Sequence, residues 1–78
     1  MRIKELKANS DFTLTILTED GREGLFDIKP YFKYPVFKEL EEFSEFQKIF
    51  NGGYFVEWEC GADLSADSIE ANFKKLAL

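Results

Sequence analysis

Histidine is absent from this sequence, and cysteine occurs once, at Cys60. The missing histidine removes the commonest general base near neutral pH and the commonest nitrogen ligand for metals. Zinc is held by clusters of Cys and His, so no zinc site is expected, and one cysteine cannot close an intramolecular disulfide. A cysteine nucleophile needs an activating base, so Cys60 reads instead as a small core or strand-end thiol. Ser10, Ser44, Ser65 and Ser68 have neither a His partner nor a GxSxG turn around them. Phosphate-cradling patterns of the GxxxxGK[ST] or GxGxxG kind are missing as well, and the one adjacent glycine pair, Gly52-Gly53, suits a hairpin turn. No apolar run reaches the roughly 18 residues of a membrane-crossing helix, and no basic, apolar leader opens the chain. A soluble cytoplasmic protein is expected, without cofactor, resident metal or membrane contact.

What the chain does hold is aromatic side chains. Nine Phe, three Tyr and one Trp make up 17% of 78 residues, and 45% of the residues are hydrophobic. So short a chain is expected to form one domain over residues 1–78 and to bury only about 60–65% of its unfolded surface. It therefore needs a dense core, and aromatics removing roughly 150–250 Å² each from water provide one. Charge is unevenly placed. Residues 1–39 hold seven Lys/Arg and seven Asp/Glu, whereas residues 40–78 hold three against eight, which is the whole net charge of −5. An acidic surface repels phosphate backbones and favours basic partners.

The pattern along the chain is that of an α+β domain. "RIKELKA" reads as a strand with Ile3 and Leu6 apolar. "FTLTILT" alternates, with Phe12, Leu14 and Ile16 on one side and Thr13 and Thr15 on the other. Asp20-Gly21 tolerates the positive φ of a tight hairpin, so "EGLFDI" should return as a third strand of an antiparallel meander. Pro30 and Pro35 make "KPYFKYP" short helical turns rather than a strand. Residues 36–50 have two readings. In one, "PVFKELEEF" is a helical turn, and "EFQKIF", Asn51-Gly52-Gly53 and "YFVEWEC" form a second hairpin. In the other, a single helix runs from Val36 through Phe50. A C-terminal helix of about ten residues is expected to start at Ser65, with Ala66, Ile69, Phe73 and Leu76 on its apolar face and Lys74 and Lys75 in its last turn. The sum is a small antiparallel sheet of about five strands, with short helical turns in the middle and this helix packed on it.

Residues 59–70, "ECGADLSADSIE", place oxygen side chains at the first, fifth, seventh, ninth and twelfth positions, almost the ligand places of a calcium-binding EF-hand loop. Leu64, however, stands where that loop needs glycine, Gly61 stands at an acidic ligand place, and the preceding "YFVEW" reads as a strand. A strand-to-helix connection is the better account. In it Gly61 lets the chain leave the strand, Leu64 turns inward, Asp63 bonds nearby backbone donors and Ser65 caps the helix. Glu57 and Glu59, two apart, are expected on one strand face opposite Val56, Trp58 and Cys60. Base stacking by Phe46, Phe50, Tyr54, Phe55 and Trp58 would need basic neighbours, but only Lys48 is near, against Glu45, Glu57 and Glu59. Core packing is therefore expected for these aromatics, and nucleic acid is not an expected partner.

The order "DGREGLFDIKPYF", "VFKEL", "VEW" and "GADLSAD" resembles the small bacterial domain family DUF2442 over some sixty residues. Asp20-Gly21, Phe26-Asp27, Phe37, Leu40, Phe46, Trp58, Gly61, Asp63, Leu64 and Ser65 match its pattern. The resemblance implies an α+β fold and favours the hairpin reading of residues 46–58. It implies no agreed activity and no catalytic residue. Relatives joined to helix-turn-helix modules, or encoded beside another small protein, imply a toxin–antitoxin-like pairing. With the chain ending at Leu78, a DNA-binding role of its own is not expected. Where the family ending often carries a Tyr, this chain has Glu70-Ala71.

These readings converge on a non-enzymatic interaction or regulatory domain whose partner is a small basic protein. Its binding residues are Glu57, Glu59, Asp63 and Asp67. The alternative is a carboxylate-based metal-binding protein or small hydrolase using the same acidic 57–70 segment. Pairing of a free edge strand into a homodimer is a third expectation.

Overall fold

The computed structural model describes residues 1–75. Six strands of three residues or more form two antiparallel groups, and a two-residue strand adds a seventh. The first group is the expected meander: β1 (Ile3–Ala8), β2 (Thr13–Thr18) and β3 (Glu23–Asp27), paired β1–β2–β3. Alternation decides its faces. Leu14 and Ile16 are fully buried while Thr13, Thr15 and Leu17 are only half-buried on the other side. The β2–β3 turn is made by Gly21 at φ 88°. Ile3 and Leu6, three apart, cannot share a face of a regular strand. A register shift between Ile3 and Glu5 resolves the mismatch.

The second group corrects the single five-stranded sheet. β4 (Ile49–Asn51), β5 (Phe55–Trp58) and β6 (Asp63–Ser65) form a separate sheet in that order. Asn51 holds it to the first, its amide donating to the Ile3 carbonyl at 3.1 Å while the Ile3 N–H donates to the Gly53 carbonyl at 2.7 Å. Between the sheets, the prolines set 3-10 turns at Lys29–Lys33 and Pro35–Glu41. A single turn of helix, α1 (Phe43–Phe46), follows. The long helix from Val36 to Phe50 does not form, and Phe46 ends α1 rather than opening a strand.

The C-terminal helix α2 (Ala66–Asn72) is shorter than expected. Ser65 caps it, its hydroxyl accepting from the Ser68 N–H at 3.1 Å. The chain turns extended at Phe73 (φ −84°, ψ 147°). Lys74 and Lys75 then pair with Leu25 and Gly24 of β3 as β7 (Lys74–Lys75), instead of closing a helix. Gly24 makes room: a Cβ there would lie 2.2 Å from the Phe73 ring. Leu76, the last residue of the expected apolar face, lies outside the described residues.

The core joins both sheets. Leu14, Ile16, Phe26, Ile28, Phe37, Leu40, Phe46, Val56, Trp58 and Ile69 form one buried cluster. The Trp58 ring stacks on Phe46 at 6.2 Å and meets Phe37 edge-on at 6.3 Å. Its indole N–H donates to the Phe46 carbonyl at 2.8 Å.

Candidate functional site

The inward side chains of β5 fix what it shows to solvent. Val56 and Trp58 point into the core, at 0% and 1% exposure, so Phe55 and Glu57 point out. Their cross-strand neighbours complete the outer face of the second sheet. Phe50 lies opposite Glu57 on β4; Ser65 lies opposite Phe55 and Asp63 opposite Glu57 on β6. Phe50 and Phe55 are 54% and 41% exposed, with ring centroids 6.3 Å apart. Gly52 allows that placement, since a Cβ on it would meet the Phe55 ring at 2.3 Å.

This overturns the expectation that all the aromatics fill the core. Phe46 and Trp58 do; Phe50, Tyr54 and Phe55 do not. The signal was available in Glu57, because a carboxylate between buried Val56 and Trp58 marks the outward positions of the strand. Tyr54, 65% exposed, stands at the turn leading into β5, with the Arg2 guanidinium 5.3 Å from its ring centroid.

The four expected acids do not form one group. Glu57 and Asp63 oppose each other across the β5–β6 ladder, an unfavourable placement for like charges. β6 stands where the sequence predicts a connecting loop with Asp63 bonding backbone donors. Asp63 is instead a strand residue, because Leu64 pairs with Val56 inside and leaves its neighbours outside. Glu59 lies one residue past the end of β5, in the turn, although its N–H still donates to the Lys48 carbonyl at 3.0 Å as the next rung of the β4–β5 pairing would. Both glutamates nevertheless line one shallow depression of about 340 Å³, with Lys48 and Phe50 beside them. Lys48 pairs with Glu45 at 3.1 Å, and its pKa is raised first by that hydrogen bond and also by the charge of Glu59.

Asp67 lies apart, on the first turn of α2. Its carboxylate is 3.7 Å from the Met1 nitrogen, near Glu70, which takes a 2.8 Å hydrogen bond from Arg22. That bond, before any other cause, lowers the pKa of Glu70. Arg22 and Asp20 form a second cluster that the sequence reading missed, the Arg22 Nε–H lying 3.1 Å from the Asp20 carboxylate. The twelve-residue acidic segment is thus spread over a turn, a strand and a helix. Among the described residues, no three Asp, Glu or Cys side chains are grouped as metal ligands. No helix among them is long and apolar enough to cross a membrane.

A family model described as "Protein of unknown function (DUF2442)" matches residues 3–75 of the chain. No curated protein and no solved structure matches it.

Proposed function

The chain belongs to the DUF2442 family, and from that premise we propose that it is a non-enzymatic interaction domain, docking a basic protein partner on the outer face of β4–β5–β6. It would be the acidic, regulatory member of a two-protein, antitoxin-like system. The observation that carries this reading is the row Phe50–Glu57–Asp63, an exposed ring beside two uncompensated carboxylates on adjacent strands. Exposed aromatic surface rimmed by charge is the composition of docking patches. Among the described residues no salt bridge reaches Glu57 or Asp63. A cation from a partner would turn a mutual repulsion into two attractions.

Glu57 and Asp63 are the principal binding residues in this reading and Glu59 contributes at the margin. Asp67 has no part, lying apart on α2 with its carboxylate 3.7 Å from the Met1 nitrogen. A second copy of the chain is a poor occupant, because it would bring the same two carboxylates to the same place. Affinity purification from the source cells, comparing the native chain with the Glu57→Gln/Asp63→Asn variant, tests the proposal. The expected result is a basic protein that is lost with the variant and released at about 1 M salt, where the screening length falls to about 3 Å. Retention of the same partner by the variant, or at high salt, would refute it.

A further inference from the structure

We infer that the segment docking on this face presents arginine rather than lysine, with guanidinium planes laid on Phe50 and Phe55 and their N–H edges turned to Glu57 and Asp63. The inference rests on the interaction reading above and specifies the partner's chemistry. Its ground is the order of groups across the sheet. Phe50, Glu57 and Asp63 are successive cross-strand neighbours, so they form a row roughly 10 Å long at about 5 Å per step. Phe55 stands in the next row with its ring against that of Phe50. A flat cation can rest on a ring and still reach the carboxylate one strand away, because its donors lie in its plane. An ammonium is a compact, strongly hydrated point charge. It can pair with the carboxylates, or sit over a ring as Lys33 does over Tyr34 at 5.3 Å, but it has no plane that lies on the ring while its donors reach sideways to a carboxylate.

The same edge of the molecule already holds one such contact, Arg2 over Tyr54 at 5.3 Å. Other occupants fit less well. A purely apolar partner would bury Glu57 and Asp63 without counter-charges, which is costly, and a nucleic acid would bring phosphates to them. Lys48, whose ammonium pairs with Glu45, makes no salt bridge with Glu57 or Asp63.

The test is a titration followed by amide chemical shifts, using a short arginine-alanine peptide and its lysine counterpart of equal length and charge. Cation–ring contact at an exposed site adds about two- to fivefold in affinity per ring engaged. The arginine peptide should bind tighter, by at most about that factor because an ammonium can also sit over a ring, with the shifts centred on residues 49–65. The Phe50→Ala/Phe55→Ala variant should bind both peptides alike, and neither more tightly than the native chain binds the lysine peptide. Both side chains are exposed, and a melting curve confirms that the variant is folded. Equal affinity of the native chain for the two peptides would overturn the arginine inference and leave the docking reading standing. If neither peptide moves the amides of residues 49–65 at low salt, the docking reading fails with it.

Discussion

At the scale of single residues, Thr18 shows how a polar group is held inside so aromatic a core. It is 1% exposed, yet its hydroxyl donates to the Asp20 carboxylate and accepts from the Arg22 N–H at 2.9 Å. The hydrogen bond from Thr18, followed by that from Arg22, holds the pKa of Asp20 down to about 2, against an ordinary value of 3.8. A carboxyl that binds its proton less readily when folded makes unfolding take up protons. Its contribution to stability is therefore complete above the unfolded value near 3.8 and is lost as pH falls to about 2. Asp11 and Glu70, also lowered, the first chiefly by Thr13 and the second by Arg22, act in the same direction. Denaturant titrations across this range should show the native chain losing stability on acidification. The Asp20→Asn variant should be less stable near neutral pH and flatter below pH 3.8. A variant with the same pH slope as the native chain would remove Asp20 from the account.

At the scale of elements, the sequence was most legible where one local rule acted alone. β2 alternates because one side faces the core, and the Asp20-Gly21 turn and the Ser65 cap need only their own chemistry. It was least legible where long-range pairing decided between local options. Residues 36–50 suit a 3.6-residue period, but Pro35 opens a 3-10 turn and β5 draws Ile49–Asn51 into a strand. Asp63 and Ser65 look like loop residues until Leu64 is seen opposite Val56. The acid row of the candidate site was hidden for the same reason: Asp63 joins Glu57 only through that pairing. The last helix stops at Asn72 because β3 offers a better arrangement to the next residues, through the bare surface of Gly24. Gly24→Ala tests this. Its Cβ would meet both the Phe73 ring at 2.2 Å and the Lys74 carbonyl at 2.7 Å, and a carbonyl in a paired strand cannot swing aside. The expected outcome is loss of the β3–β7 pairing, read as faster amide exchange at Lys75, with a destabilisation of about 1–3 kcal/mol from overpacking. Unchanged exchange there would mean that β7 is held by something other than that close fit.

At the scale of the whole molecule, the two sheets share one core but differ in how they treat charge. Carboxylates near the β2–β3 turn and α2 are paired with cations within the fold, Asp20 and Glu70 with Arg22 and Glu70 also with the Met1 amino group. On the second sheet Glu57 and Asp63 are left facing each other, an arrangement in which like charges oppose. In the docking reading proposed above, that defect is stability given up for recognition. Glu57→Gln keeps the size and polarity of the side chain and removes the repulsion. The free protein should gain on the order of 0.5 kcal/mol at low ionic strength. That gain should fade as salt screens the pair, while affinity for a cationic peptide falls. Stability and binding would then move in opposite directions from one substitution. If Glu57→Gln instead lowered the melting temperature at low salt, Glu57 would be a structural residue, and the uncompensated row could no longer be read as a surface awaiting a cation.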